Sequence, residues 1–355
     1  MNILMVRLGA LGDIVHAIPA AAALRRAFPS ARIDWLVEAR HRALVDLVTV
    51  VDRVIPIERP TLSGWLDAAK LMRQRRYDVA LDLQGLLKSA VLSRMSGAAR
   101  VIGFSLWHLR EKTARPFYTK TDGAADDSFR RQPEQAAIQP DDAVLQSDDS
   151  HVIFKNLRLL RAVGVHDRRV TFPLAQPPSD ALAAVRATIG GDAPFALINP
   201  GAAWPNKRWP PERFGEVAAF LREVRGLPTF VLWGPGEEEI ARLVAAASNG
   251  GARLAPPTRL PDLLALSRAA SLIVSGDTGP LHIAGAAGTP AIAIFGPTDP
   301  ARNGPWSDGD LTISRFHTCR CHYERRCHEP RWCLADVAVA EITAAIQQRL
   351  ATGGA

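Results

Sequence analysis

The sequence has few of the features that mark secreted or membrane-spanning proteins. No apolar run approaches the roughly 18–20 residues that a transmembrane helix requires. The opening stretch "MNILMVRL" has neither the cationic segment nor the cleavage site of a signal peptide. All four cysteines lie between Cys319 and Cys333, which excludes a disulfide-rich secreted scaffold. These absences predict a cytoplasmic protein and leave peripheral contact with a membrane open.

Length and charge narrow the protein class further. A chain of 355 residues is most easily two domains, since domains usually hold about 100–200 residues. The formal net charge of +7 favours anionic partners, which include nucleotides, phosphorylated glycolipids, acidic membrane surfaces and nucleic acids. Nucleic acid has only this charge in its favour, because the sequence contains no aromatic-basic stripe. We therefore expect no nucleic-acid partner.

Short β-rich runs alternate with amphipathic helical patterns in both halves of the chain. This alternation predicts an α/β protein with two doubly wound, Rossmann-like sheets. We expect domains at residues 1–175 and 180–335, joined through the Pro-rich stretch 172–181. The last segment, 336–355, reads as a helix that packs back on the first domain. The polar residues 119–149 lack periodicity and indicate a long surface loop or a partly disordered insert.

The stretch "RLGALGDIVHAIPAA" follows the first predicted strand and carries Gly9, Gly12 and Asp13. These residues suit a tight turn with Asp13 as a helix N-cap. A strand-to-helix turn at the carboxyl edge of a parallel sheet is also where α/β proteins bind ligands. The residues alone leave both interpretations open.

The stretch "SGDTGPLHIAGAAG" gives the strongest indication of a ligand site. A predicted strand ends at Gly276 and Asp277, and a helix is expected to begin near Pro280, so its first amides can receive a phosphate. The alternative is an ordinary turn capped by Asp277 or Thr278. His282 lies one turn into this helix, where core packing and ligand contact are equally good explanations.

Two other predicted strand ends in the second half carry charged residues. "NPGAAWPNKRWP" presents Lys207 and Arg208 on a proline-stiffened loop, which suits a diphosphate. "LWGPGEEEIARL" places Glu237 and Glu238 where an acidic residue can bind a ribose diol. The alternatives are a solvated Lys-Arg pair and carboxylates that stabilise a helix N-terminus.

A set of cations in the first half could form a rim for an acidic ligand. Lys88 lies in "DLQGLLKSA", and Arg110, Lys112 and Arg115 lie in "LREKTARPFY". Charged residues near loops are often only solvated, so composition does not decide between a ligand-binding rim and ordinary surface charges.

The segment "CRCHYERRCHEPRWC" gathers Cys319, Cys321, Cys327 and Cys333 with two histidines. A structural zinc site and a cluster of packed thiols both remain open. The spacing lacks the paired C-x-x-C motif of the commonest zinc sites, so we predict no metal site here.

The quoted motifs together resemble the ADP-heptose:lipopolysaccharide heptosyltransferases of glycosyltransferase family 9. The pieces that carry the resemblance are "RLGALGDIVHAIPA", "IDWLVEARHRALVD", "VDRVIPIE", "YDVALDLQGLLKSA", "LREKTARPFY", "NKRWP", "GDTGPLHIA" and "IFGPTDP". The first four and "LREK" look most like heptosyltransferase I. The resemblance implies a GT-B fold, in which two Rossmann-like domains face a cleft.

The resemblance also assigns roles to particular residues. It implies that Asp13 is the catalytic base and that the N-terminal domain binds the acceptor while the C-terminal domain binds the nucleotide-sugar donor. The implied donor-binding residues are Lys207 on the diphosphate, Glu238 on the ribose, Asp277 on the heptose hydroxyls, Thr278 and Gly279 on the phosphates, and His282. The implied acceptor-binding residues are Gly12, Lys88 and Arg110.

The implied reaction is an inverting, metal-independent and cofactor-free transfer of L-glycero-D-manno-heptose from ADP-heptose to Kdo-lipid A. Such an enzyme acts in the cytoplasm, on the inner face of the inner membrane.

Ala202 and Ala203 stand where many heptosyltransferase I sequences have hydroxyl residues, and the cysteine segment looks more like heptosyltransferase II. A later acceptor in the manner of heptosyltransferase II and a non-catalytic nucleotide-sugar-binding protein are the alternatives. A dinucleotide oxidoreductase is disfavoured, because the first turn reads "RLGALGD" and not G-x-G-x-x-G.

Overall fold

A computed structural model of the chain describes residues 1–122 and 150–352. The chain divides into two compact units, Met1–Ala175 and Gln176–Ala355. The division falls inside the Pro-rich stretch 172–181 that the sequence suggests as a linker. Most of the predicted insert, residues 123–149, lies outside the described residues.

The first unit is built on a six-stranded parallel sheet with the order β3-β2-β1-β4-β5-β6. Its central strand β1 is buried along Ile3–Val6 and pairs with β2 on one side and β4 on the other. A strand covered on both faces needs apolar residues at every position, which explains the unbroken apolar run. The strands are β1 (Asn2–Val6), β2 (Arg32–Glu38), β3 (Arg53–Ile57), β4 (Val79–Asp82), β5 (Arg100–Gly103) and β6 (Lys120–Thr121).

The second unit repeats this arrangement with the order β12-β11-β10-β7-β8-β9. Numbered from its own first strand, the order is 3-2-1-4-5-6 in both units, as in doubly wound dinucleotide-binding folds. The strands are β7 (Ala196–Asn199), β8 (Thr229–Val231), β9 (Ala252–Leu254), β10 (Leu272–Gly276), β11 (Ala291–Phe295) and β12 (Leu311–Ser314).

Helices connect the parallel strands. In the first unit they are α1 (Leu11–Val15), α2 (Ile18–Ala27), α3 (Arg42–Val45), α4 (Leu62–Arg73), α5 (Leu87–Met95) and α6 (Val152–Leu159). In the second unit they are α7 (Asp180–Ile189), α8 (Pro211–Arg225), α9 (Glu238–Ala246), α10 (Leu260–Ala269), α11 (Gly279–Ala287), α12 (Pro300–Asn303) and α13 (Val339–Thr352). In the described part of the chain, no helix combines the length and apolar character that crossing a membrane requires.

The last helix completes the core of the second unit. Ile342 and Ile346 of α13 are fully buried among side chains of α8 and β11. In the same cluster, Trp209 packs edge-on against Phe214 with ring centroids 4.9 Å apart. The sequence leaves this helix without a strand to follow, but its contacts within the second unit give it a core role. Packing of the helix on the first unit stays a prediction.

The parallel α/β architecture predicted from the sequence is confirmed in both units. The order of strands reverses between β1 and β4 in the first sheet and between β7 and β10 in the second. In open α/β sheets, ligands bind beyond the carboxyl ends of the strands at such a reversal. The turns after β1 and after β10 are therefore where each unit is expected to hold its ligand.

Candidate functional site

Asp13 lies in the turn that follows β1, where the sheet order of the first unit reverses. Its Oδ2 atom is 2.7 Å from the Nη2 atom of Arg7, and its side chain is about a quarter exposed. The structure corrects its expected place: Asp13 is the third residue of α1, and Ala10 occupies the N-cap position. The backbone amide of Ala10 donates to Asp13 Oδ2 at 3.3 Å, so the carboxylate still closes the turn.

Arg7 holds the Asp13 carboxylate from inside the sheet. Arg7 is buried, and its guanidinium also donates to the carbonyl of Leu83 beyond the end of β4. The indole of Trp35 on β2 donates to the Arg7 carbonyl at 3.2 Å. A buried arginine fixed by neighbouring strands therefore orients Asp13, which remains partly open to solvent.

A second charged cluster lies beside the same turn. Lys88 Nζ is 3.1 Å from Glu38 Oε1, and Arg40 Nη2 is 2.6 Å from Glu38 Oε2. Burial would raise the pKa of Glu38, but the bonds and charges of Lys88 and Arg40 outweigh it and leave that pKa lowered. A Cβ atom at Gly9 would lie 3.7 Å from Glu38 Oε2, so the cluster adjoins the turn that carries Asp13.

The predicted acceptor residue Arg110 lies on an exposed loop after β5. The carboxylate of the next residue, Glu111, accepts the backbone amide of Leu87 at 2.8 Å, at the start of α5. Lys88 is the following residue, so this bond ties the Arg110 loop to the Lys88 helix. Gly12 lies in α1, and its carbonyl accepts the amide of His16 at 3.0 Å. The fold thus brings Lys88 and the Arg110 loop to one edge of the sheet.

Asp277 lies beyond β10 in the second unit and is almost completely buried. Its Oδ2 atom is 2.5 Å from Lys207 Nζ and accepts the Thr298 hydroxyl at 2.7 Å. Its Oδ1 atom accepts the amide of Asn303 at 3.0 Å and lies 3.2 Å from His282 Nε2. The segments after β7 and β11, together with α11 and α12, therefore contribute the groups that bind this carboxylate.

These contacts keep Asp277 ionised. Burial would raise its pKa, but the bonds to His282 and Lys207, together with the Lys207 charge, hold the pKa well below its usual range. Lys207 also lies over the ring of Trp204, with Nζ 4.6 Å from the ring centroid. A cation–π contact adds to the ion pair and restricts the lysine side chain. Lys207 and Asp277 thus form a fixed, paired charge centre.

Thr278 and Gly279 stand at the N-terminus of α11. Thr278 is the N-cap residue, but its hydroxyl makes no capping bond. That hydroxyl accepts the Asn199 amide at 2.9 Å, and the same amide lies 3.1 Å from Ser275 Oγ. The helix begins at Gly279, one residue before the predicted Pro280. A nine-residue helix whose N-cap side chain points elsewhere leaves amides available to an anion.

The two acidic residues after β8 differ in their surroundings. Glu238 opens α9 and pairs with Arg242 at 2.6 Å, with both side chains largely exposed. Glu237 folds back instead, and its Oε2 atom accepts the amide of Gly234 at 3.1 Å. A Cβ atom at Gly201 would lie 2.3 Å from the Glu237 carboxylate, so a larger residue there would displace the Glu237 side chain. The geometry favours Glu237 over Glu238 for a role at the strand ends, and the role of Glu238 stays a prediction.

The cysteine segment also gathers its side chains. Cys321 Sγ is 3.3 Å from Cys327 Sγ and 3.4 Å from His328 Nδ1. Burial first, and then a hydrogen bond to Cys319, raises the pKa of Cys333 to about 12. Cys321, Glu324 and His328 also bring one potential metal-binding atom each within 4.8 Å of one another. The expectation that this segment holds no metal site stays a prediction.

The sequence analysis does not single out several residues that complete these clusters. Arg7, Glu38, Asn199, Thr298 and Asn303 supply the partners described above. A common signal could have found most of them, because each of the first four lies at or just beyond the carboxyl end of a predicted strand. Polar residues at that edge therefore indicate a site as well as the glycine-rich turns do.

A family model described as glycosyltransferase family 9 (heptosyltransferase) matches residues 65–128 and 123–333 of the chain. The chain is similar to lipopolysaccharide heptosyltransferase 1 of Pseudomonas aeruginosa, with 26% identity over 341 residues that cover 92% of this chain and 87% of the relative. It is also similar to lipopolysaccharide heptosyltransferase 3 of Escherichia coli K12, with 24% identity over 84% of this chain and 83% of the relative.

Solved structures resemble the fold over nearly its full length. The E. coli heptosyltransferase WaaC with ADP gives a TM-score of 0.73 at 22% identity, covering 98% of this chain and all of that one. The E. coli ADP-heptose lipopolysaccharide heptosyltransferase II gives 0.75 at 20% identity, covering both chains completely. These likenesses confirm the predicted fold class.

Proposed function

The chain belongs to glycosyltransferase family 9, the heptosyltransferases, and from this premise we propose that it moves L-glycero-D-manno-heptose from ADP-heptose to the Kdo-lipid A inner core of lipopolysaccharide. The protein is thus a glycosyltransferase enzyme of known family, and the proposal concerns its donor, acceptor and catalytic residues. Curated relatives named for lipopolysaccharide heptose transfer support the sugar, and a solved relative with ADP supports the nucleotide.

The observation that carries the proposal is the ion pair of the partly buried Lys207 with the buried Asp277, beside the N-terminus of α11. A nucleotide sugar presents a diphosphate and several hydroxyls. Lys207 supplies a cation and α11 supplies amides for the diphosphate, while Asp277 supplies an ionised acceptor for sugar hydroxyls. We place Thr278 and Gly279 on the phosphates, His282 behind Asp277, and a carboxylate of the Glu237–Glu238 pair on the ribose.

Asp13 is the proposed catalytic base. A sugar hydroxyl is a weak nucleophile, so a positioned carboxylate must accept its proton as the new bond to the anomeric carbon forms. Asp13 meets this need because Arg7 orients it while its side chain stays about a quarter exposed. Attack by the acceptor oxygen expels ADP in one displacement and inverts the anomeric carbon. No carboxylate nucleophile takes part.

The departing ADP gains negative charge on its terminal phosphate. Lys207 and the amides of α11 provide fixed positive charge and dipoles at the proposed diphosphate position, which is where catalytic electrostatics act. These groups do the work that a magnesium ion does in other transferases, so we propose that the transfer itself needs no divalent metal or cofactor.

The proposed acceptor is an anionic glycolipid at the inner face of the inner membrane. Lys88 and Arg110, on neighbouring segments at the edge that carries Asp13, offer positive charge to its carboxylates and phosphates. The backbone of Gly12 lies beside the base. These residues motivate the choice of acceptor class, while the positive net charge favours attachment to an acidic membrane surface.

A relative named heptosyltransferase 3 gives a second candidate function, which is transfer of heptose to a later acceptor of the same core. The deciding experiment incubates the purified chain with ADP-heptose and either Kdo-lipid A or an already heptosylated acceptor. Heptose transfer to Kdo-lipid A alone supports the proposal. Transfer only to the heptosylated acceptor selects the second candidate. Donor binding without transfer or hydrolysis would indicate a non-catalytic binding protein.

A further inference from the structure

Large apolar side chains are exposed along one edge of the first unit. In its described part, residues 1–122 and 150–175, the largely exposed ones are Met1, Leu62, Leu66, Leu87, Leu106 and Trp107. All except Met1 follow the carboxyl end of a strand, with two after β3, one after β4 and two after β5. These strands are parallel, so the five residues share the sheet edge that carries Asp13. Exposed apolar side chains gathered in this way are typical of a docking surface.

The most exposed of these residues lie at the tip of a turn after β5. The amide of Leu109 donates to the carbonyl of Ser105 at 3.0 Å, which closes a turn with Leu106 and Trp107 at its tip. Leu106 is 48% exposed and Trp107 is 80% exposed, whereas Leu109 is buried. A Cβ atom at Gly85 would lie 3.3 Å from Leu109 Cδ2, so the turn packs on the segment after β4. The tip is therefore held by the fold while its apolar side chains face outwards.

Positive charge surrounds this tip. The segments 83–91 and 104–118, which follow β4 and β5, contain four cations and a single acidic residue, Glu111. The Glu111 carboxylate accepts the amide of Leu87 at 2.8 Å, which joins the two segments. The cations are Lys88, Arg110, Lys112 and Arg115. By contrast, the segment after β3 that carries Leu62 and Leu66 has balanced charges, with Glu58 and Asp67 against Arg59 and Lys70.

We use the name Trp107 surface for Leu87, Lys88, Leu106, Trp107, Arg110 and Lys112. Its composition favours a lipid bilayer over a protein partner. Tryptophan is enriched where a bilayer meets water, because its ring is apolar and its N–H group is polar. Lysine is depleted in protein interfaces, whereas cations beside an apolar surface gain energy from acidic lipid headgroups. An apolar tip with four cations around it therefore complements an anionic bilayer.

We propose that the Trp107 surface binds an anionic phospholipid bilayer. Leu106 and Trp107 insert at the level of the headgroups, and Arg110 and Lys112 lie beside the lipid phosphates. Lys88 Nζ lies 3.1 Å from the Glu38 carboxylate, which adjoins the turn that carries Asp13. Docking therefore brings the proposed base close to the membrane plane, where a lipid-anchored acceptor presents its sugar. This consequence rests on the proposed function, whereas bilayer binding does not.

The test mixes the full-length chain with vesicles of phosphatidylcholine, either alone or with phosphatidylglycerol, and then pellets the vesicles. Neither vesicle contains a sugar acceptor, so the result does not depend on the proposed reaction. We expect binding to the anionic vesicles that weakens as salt is added. Anionic vesicles with brominated acyl chains should also quench part of the tryptophan fluorescence of the bound wild-type chain.

Substitutions locate the contact. Trp107→Ser should weaken vesicle binding about tenfold or more and remove the quenching by brominated lipid, because it deletes the largest inserted side chain. Lys112→Ala should weaken binding about fivefold, which is the usual effect of one cation at an anionic surface. The matched controls are Val224→Ser, an exposed apolar residue of the second unit, and Arg76→Ala, an exposed cation just before β4. Both controls should bind like the wild type.

Several results would overturn the proposal. No binding of the wild-type chain to anionic vesicles would refute it, whether or not a variant folds. Binding that Trp107→Ser and Leu106→Ser leave unchanged would refute the choice of surface, and equal binding to neutral vesicles would refute the choice of anionic lipid. A dimer that Trp107→Ser dissociates, without vesicle binding, would replace the bilayer by a second copy of the chain.

A transfer assay tests the consequence for the proposed base. Trp107→Ser should slow heptose transfer to Kdo-lipid A embedded in vesicles several-fold. Transfer to a water-soluble, deacylated acceptor should stay at the wild-type rate, because Trp107 takes no part in the chemistry. Equal loss with both acceptors would overturn the role of docking in transfer, while the vesicle measurements would still decide bilayer binding.

Discussion

Asp13 and Asp277 occupy comparable places in the two sheets but have different surroundings. Each follows a central strand at the point where the order of strands reverses. Asp13 is about a quarter exposed and pairs with Arg7. Asp277 is buried and receives contacts from Lys207, Thr298, Asn303 and His282. The same fold thus presents one accessible carboxylate and one enclosed carboxylate.

The difference in exposure and partners suits the two carboxylates to different roles, one as a base and one as a binding group. A base must exchange a proton with a reacting group, which requires access and a change of charge. A binding carboxylate must stay ionised, which requires surrounding donors and cations. The surroundings of Asp13 suit the first task and those of Asp277 suit the second. Substitution of Asp13 should therefore lower mainly the rate of transfer, whereas substitution of Asp277 should lower mainly the stability.

The largest effect on rate is expected at Asp13. Asp13→Asn and Asp13→Ala should lower heptose transfer about 10²–10⁴-fold, since that is the usual contribution of a positioned base. ADP affinity, measured by calorimetry, should stay near that of the wild type. The control is Asp46→Asn, which removes an exposed carboxylate of the same unit that pairs with Arg42. Wild-type turnover in the Asp13 variants would remove this residue from the mechanism.

The largest effect on stability is expected at Asp277. Asp277→Asn should cost about 3–5 kcal/mol of unfolding free energy, because it leaves Lys207 without its buried partner. The folded pKa is lower than the unfolded value of about 3.9, so this stabilisation is fully present above the unfolded pKa. It should decrease as the pH falls below about 4 towards the folded pKa. Urea unfolding of both chains across pH 3–7 measures the difference.

Asp310→Asn is the matched control for the sign of this pH dependence. Asp310 is also buried and pairs with Arg349 at 3.2 Å, but burial raises its pKa. A raised folded pKa means that the contribution of Asp310 to stability falls as the pH rises through that range. The free-energy difference between wild type and variant should therefore change with pH in opposite directions at the two positions. If the stability differences of the two variants changed with pH in the same direction, the opposite pKa shifts of Asp277 and Asp310 would be contradicted.

A smaller effect is expected at Lys207. Lys207→Ala removes a charge-assisted contact worth about 1.5–3 kcal/mol, so ADP should bind about ten- to a hundredfold more weakly and transfer should slow. Arg208→Ala is the neighbouring control, because Arg208 Nε donates to the carbonyl of Ala202 and does not pair with Asp277. Equal donor affinity in Lys207→Ala and the wild type would refute the proposed diphosphate contact.

The pair Glu237 and Glu238 extends the contrast between held and exposed carboxylates. Glu237→Gln should weaken ADP binding by about 0.5–1.5 kcal/mol, because its carboxylate is fixed near the ends of β7 and β8. Glu238→Gln should change it by less than about 1 kcal/mol, since an exposed ion pair contributes little. A larger loss in Glu238→Gln would support the role that the resemblance gives to Glu238.

Chelation should have the smallest effect. Brief treatment with EDTA should leave the rate of transfer unchanged, because Lys207 and the amides of α11 neutralise the diphosphate. The measurement compares turnover with EDTA and with added magnesium. Loss of turnover in EDTA that magnesium restores would contradict transfer without a divalent ion.

Local patterns in the sequence predict the sheets well but not the clusters. The apolar runs of β1 and β10 and the glycine-rich turns after them are visible in the sequence, because burial on both faces demands such residues. The sequence does not predict the position of Asp13 as the third residue of α1, because Ala10 occupies the N-cap position without a side-chain cap. The partners Thr298 and Asn303 come from beyond another strand, and only the pairing of β10 with β11 brings them to Asp277.

The hydrogen bonds from Thr298 and Asn303 to Asp277 have a consequence for binding entropy. Immobilising a flexible side chain on association costs about 0.5–1.5 kcal/mol. At Asp277 this loss of freedom occurs while the chain folds, before any ligand arrives. A ligand that uses this carboxylate meets a preorganised acceptor and retains more of its interaction energy as affinity.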